Sequence, residues 1–120
     1  MIKKLFAALS LCLPGILQAD RADVVDVRVN CQQTCTFHVT VKHADSGWDH
    51  YADQWQVLAE DGSVLGTRTL YHPHVNEQPF TRSLSGVKIP AGTHSVTVRA
   101  RDSVHGFGGI EKQVDIPPHR

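Results

Sequence analysis

The residues best suited to chemistry sit in one short stretch. Tyr71-His72-Pro73-His74-Val75-Asn76-Glu77-Gln78 holds two imidazoles, a phenol, a carboxylate and two carboxamides in eight residues. Ordinary connectors are built from Gly, Ser, Asn and Asp. In extended backbone, residues two apart point to the same side. Pro73 fixes its own φ and biases His72 toward extended geometry. Two imidazoles held this way could share one metal, with His50 or His105 as a further ligand, and neutral imidazole suits copper and zinc. The competing reading is a polar network that packs the loop, with Asp45, Asp49, Asp53 and Glu77 as acceptors for His72 and His74. Glu77 and Arg82 flank Phe80 and are placed to form an ion pair.

Other patterns carry less chemistry. Cys31 and Cys35 enclose only Gln32, Gln33 and Thr34. A redox or copper-binding pair at that spacing would belong on a helical scaffold, and the chain has no segment with a 3.6-residue period. In an exported small domain a structural disulfide is expected instead. Gly106, Gly108 and Gly109 do not lead from a strand into a helix, so a phosphate cradle is not indicated. Ser83, Ser85 and Ser103 lack a nucleophile-elbow context, and a paired-carboxylate cleft exceeds what a domain this small provides. A non-enzymatic protein is therefore expected.

The N-terminus has the pattern of an export signal: Lys3 and Lys4, an apolar run from Leu5 to Leu17, then Leu17-Gln18-Ala19 as a cleavage site. The run is too short for a stable membrane anchor. Cys12 follows Leu9 and Leu11 rather than small residues, so it reads as discarded with the leader. The expected organisation is a signal peptide at 1–19 and one domain at 20–120, periplasmic or secreted after cleavage near Ala19. Without Lys3 and Lys4, ten Lys and Arg face twelve Asp and Glu. That balance, with no basic cluster, argues against nucleic acid and anionic membrane as partners.

Alternation of apolar and polar residues marks the elements that must position these groups. It predicts strands at 24–29, 36–41, 54–59, 63–70, 81–84, 93–101 and 110–116. Asp61-Gly62 and Pro90-Ala91-Gly92 are turns, and Gly66 is an expected bulge. Trp55 falls on an inward position. Seven short strands imply an all-β, seven-stranded antiparallel sandwich. Each strand reverses the last, so the loops 42–53, 71–79 and 102–109 share one end, opposite the cysteines. Five of the eight histidines, His43, His50, His72, His74 and His105, lie in those loops. Trp48, Tyr51, Tyr71 and Phe107 lie there too. Binding residues tend to sit on loops held by a rigid scaffold.

Pro90-Ala91-Gly92-Thr93-His94-Ser95-Val96-Thr97-Val98-Arg99-Ala100-Arg101-Asp102, followed by Gly106 and Gly109, resembles the sixth strand and following loop of bacterial immunoglobulin-like and fibronectin type III-like domains. The likeness covers about the last third of the chain. It implies an immunoglobulin-like sandwich, with His94 standing where such domains often carry a corner tyrosine. The loops Gly47–Asp53 and His72–Phe80 also resemble those of small exported bacterial proteins of unassigned function. The expected function is a binding module that takes a periplasmic protein or small ligand through Trp48, His50, Tyr51, Tyr71, His72, His74, Glu77 and His105. It needs no cofactor. The alternative is a copper or zinc protein with ligands from His50, His72, His74 and His105.

Overall fold

A computed structural model describes residues 20–118. The expected leader at 1–19, with Cys12, lies outside the described residues. Eight strands follow in order: β1 (Asp23–Cys31), β2 (Cys35–Lys42), β3 (Ala52–Leu58), β4 (Val64–Thr69), β5 (Phe80–Val87), β6 (Ser95–Asp102), β7 (Gly106–Phe107) and β8 (Lys112–Asp115). No helix occurs among the described residues. The count exceeds the expected seven because the glycine-rich loop after β6 folds back and pairs with it through Gly106 and Phe107.

The strands form two antiparallel sheets, ordered β1-β2-β5 and β4-β3-β6-β7, with β8 also pairing β6. Both sheets feed one core. Phe37, Val39 and Val41 enter it from β2, and Trp55, Val57, Val96 and Val98 from β3 and β6. These are the inward positions that alternation marked, and full burial of such side chains contributes roughly 1.5–3 kcal/mol each. Gly66 lies beside a register irregularity between β3 and β4. It faces the other sheet, and a Cβ there would stand 3.0 Å from Leu84 Cδ2. Cys31 and Cys35 are register partners at the β1–β2 turn and are joined by a disulfide.

The segment ahead of β1 is seated on the loop that follows β6. Arg21 Nη1 donates to the carbonyls of His105 and Phe107, both at 2.9 Å. Asp23 Oδ1 accepts from the Ile110 backbone at 2.7 Å, and Val24 N–H donates to Ile110 O at 2.9 Å. Gly109 makes this seating possible, because a Cβ there would overlap the Ala22 carbonyl. Gly109→Ala is expected to lower stability by about 2 kcal/mol, the cost of forcing a methyl into packed backbone. Urea unfolding of the two proteins measures the difference.

Candidate functional site

The period-two pattern of β2 continues past its end. Val41, His43 and Asp45 are all buried. His43 and Asp45 therefore occupy core positions with polar side chains, and burial without partners would cost several kcal/mol. The partners are present. Asp45 Oδ1 accepts from His43 Nδ1 at 2.6 Å and from Ala52 N–H at 3.0 Å, while Oδ2 accepts from His74 N–H at 2.8 Å. Gln78 reinforces the same junction, accepting from His43 N–H at 3.0 Å and donating to His74 O at 2.9 Å.

The same continuation occurs in β6. Val96, Val98, Ala100 and Asp102 are buried in alternation, and Asp102 is fully so. Its Oδ1 accepts from the N–H groups of Val104 at 2.9 Å and His105 at 2.6 Å. Burial pushes this carboxyl upward. The two backbone donors and the nearby imidazoles of His105 and His43 outweigh that and hold it below the usual carboxylate range.

His50 arrives from a tight turn closed by Ser46 and Gly47, whose φ of 141° suits glycine. Its Nε2 lies 3.3 Å from Asp102 Oδ1 yet, although buried, has no hydrogen-bond partner. His43 Nε2 lies 4.0 Å from Asp102 Oδ2 and 3.1 Å from the Asp20 carbonyl. Donor atoms of His43, His50 and Asp102 all fall within 4.8 Å of one another. His105 completes the cluster: its Nδ1 is 3.2 Å from Asp102 Oδ1, and its ring centroid is 4.9 Å from that of His50.

This chemistry fits a cation. His43 Nδ1 faces Asp45, and its Nε2 faces the Asp20 carbonyl and, farther off, the Asp102 carboxylate. When the ring proton is on Nδ1, Nε2 offers its lone pair to a cation placed among these oxygens. Metal–ligand bonds of about 2.1 Å set neighbouring donor atoms roughly 3–3.4 Å apart, so ligation would draw these donors, now within 4.8 Å, closer together. Asp45 holds His43 through its other nitrogen, as carboxylates orient metal-binding histidines.

The three loops do meet, but the expected ligands divide. His50 and His105 belong to the cluster around Asp102. His72 and His74 form a separate pair with ring centroids 4.5 Å apart. His74 is buried, stacks on Phe80 at 3.9 Å, and its Nε2 receives Arg82 Nη2 at 2.9 Å. His72 Nδ1 faces the Pro73 carbonyl at 3.0 Å. Glu77 is ion-paired to Arg82 at 3.5 Å. Trp48 and Tyr51 pack edge to face at 5.6 Å, and Trp48 and Tyr71 stand 68% and 73% exposed. His43 and Asp102 were absent from the sequence-derived ligand set. The signal that finds them is a titratable residue occupying the inward register of a strand.

No family model matches this chain. It is similar to a protein of Halomicrobium mukohataei named "Putative lipoprotein", with 44% identity over 101 residues, which is 82% of this chain and 49% of that protein. The chain thus spans about half the length of the curated relative it matches. Its fold is similar to the crystal structure of a hypothetical protein from Pyrococcus horikoshii OT3, with a TM-score of 0.55 at 11% identity over 83% of this chain and 92% of the other. That likeness speaks for the fold alone.

Burial, then the charges of Arg82 and His72, draws the His74 imidazole below its ordinary range, with Glu77 and Asp45 opposing. A folded-state value below the unfolded one means that the unfolded chain takes up the proton first. The associated stability is complete above about pH 6.5 and is lost as pH falls below it. Asp102 adds a second loss of the same sign, beginning near the ordinary carboxylate range. Urea midpoints are expected to decline from pH 7.5 to 5, and His74→Gln should flatten that decline.

Proposed function

We propose that this is an exported domain that holds one divalent transition-metal ion between His43, His50 and Asp102, with His105 as the adjacent fourth donor. The observation that carries the reading is the buried, unpartnered His50 Nε2 aimed at a fully buried carboxylate that also lies 4.0 Å from His43 Nε2. Two imidazoles and one carboxylate suit zinc or ferrous iron, and no thiolate is at hand to select copper(I). When bound, the ion would supply an electrophilic centre. The chain's own part is to orient His43 through Asp45 and to keep the Asp102 carboxylate ionised. Purified protein is expected to bind zinc or anaerobic Fe(II) at one ion per chain, read by elemental analysis and calorimetry. His50→Ala and Asp102→Asn should each abolish binding, and His72→Ala should leave it intact. The opposite pattern returns the site to the His72–His74 pair. Because imidazole must be neutral to ligate, affinity should fall as pH drops through about 6.5.

A second reading adds a partner. Trp48 and Tyr71, each largely exposed at the loop end, support docking of a partner protein over these loops. The strand order supports an immunoglobulin-like sandwich in which the fourth strand joins the sheet of the third and sixth.

Export is supported by the leader pattern and by the name of the Halomicrobium relative. That name also raises tethering through a lipidated cysteine, for which Cys12 is the one candidate outside the bridge. Intact mass spectrometry of the mature protein distinguishes the two. A chain beginning at Asp20 is expected; a diacylated N-terminal Cys12 would establish tethering.

A further inference from the structure

The second group of unusual side chains lies where the two sheets meet at their edges. Arg68 on β4 is the register partner of Trp55, and Arg82 on β5 is the register partner of Val39. Both partners are fully buried core residues, so both arginines are on inward-facing positions of edge strands. Two residues before Arg68, Gly66 abuts Leu84 of the opposite sheet. Two residues beyond the arginines in each inward series, Leu70 and Phe80 are buried. Arg68 and Arg82 thus both occupy inward positions on the two edge strands that approach each other at Gly66 and Leu84.

Arg82 is partnered by the Thr81 carbonyl, His74 and Glu77, whereas the inner donors lack acceptors. Among the described residues the side chain of Arg68 has no hydrogen bond or ion pair, and its Nε is buried and unpartnered. Trp55 Nε1, beside it in register, is also buried and unpartnered in a residue with no exposed surface. His74 adds a third. Because its Nε2 accepts from Arg82, the ring proton must be on Nδ1, and Nδ1 is buried without a partner. Against these stands one carboxylate, Glu77, whose side chain is 61% exposed and reaches only Arg82. Leaving buried N–H donors unpaired is costly, about 1–3 kcal/mol each and more for a charged group. Such an excess of donors is what an oxyanion satisfies.

We propose that the β4–β5 seam binds a small oxyanion, of the size of sulfate, phosphate or a low-mass carboxylate. Arg68 Nε–H and Trp55 Nε1–H form its inner donors, and Arg82, with its side chain 30% exposed, stands at the mouth. This site is independent of the metal reading and uses none of its ligands.

The test is a titration of the full exported domain with sodium sulfate, sodium phosphate and sodium acetate, each against sodium chloride at matched ionic strength. Two readouts are followed: the melting temperature, and the NMR signals of Arg68 Nε–H and Trp55 Nε1–H. A saturable rise in melting temperature is expected with at least one oxyanion, accompanied by joint movement of both signals. Arg68→Gln should weaken the response by at least about tenfold. Arg28→Gln, on the outer face of β1, should leave it unchanged. Whichever anion saturates at the lowest concentration identifies the geometry. Arg68→Gln also has an alternative that keeps the test decisive if that variant does not fold: the wild-type signals alone. Their failure to move, or an equal response to chloride, overturns the proposal. An Arg68→Gln protein that responds as the wild type does would overturn it as well.

Discussion

One buried carboxylate joins the parts that matter. Asp45 accepts three donors from three places: the His43 ring, the start of β3 at Ala52, and the backbone of His74. A carboxylate removed from water costs several kcal/mol unless its lone pairs are filled, so this acid tolerates little rearrangement of its neighbours. The loops after β2 and β4 are therefore tied to each other from within. His43 inherits a fixed ring orientation from that tie. The Asp20 carbonyl, on the other ring nitrogen, supports the same orientation.

Asp102 does the equivalent work on the other side of the cluster. It ends the inward series of β6, and its backbone donors, with the imidazoles of His105 and His43, keep it ionised despite its burial. The short turn that supplies those donors also brings His105 back over it, and Arg21 holds the turn from outside. Two strand ends, each carrying an acid at a core position, thus face each other beneath a pair of histidine-bearing loops. Residues chosen for stability alone would be apolar at these positions. Their polarity is a cost to the core that the hydrogen bonds filling their lone pairs offset.

The histidine-rich stretch between β4 and β5 shows what sequence spacing does not reveal. His72 and His74 do lie side by side, as an alternating backbone requires. Arg82, however, arrives from β5 and occupies Nε2 of His74. That arginine is eight residues away in sequence, and only the turn of the chain into β5 brings it across. The pairing of Glu77 with Arg82, by contrast, was legible because both flank a buried aromatic residue.

Alternation of side-chain polarity determined six of the strands closely and the location of a seventh. It also determined the disulfide-closed turn and the gathering of three loops at one end, since each follows from periods and turn residues local to the chain. The two-residue strand inside the last glycine-rich loop was not legible, because its pairing depends on a backbone reversal that carries no period of its own. Which histidines lie together was likewise decided only in three dimensions. The inward register of β2 and β6 extends past the strand ends, to His43 and Asp45 in one case and to Asp102 in the other. That these two extensions meet depends on how one sheet lies over the other, and no local pattern in the chain encodes that distance.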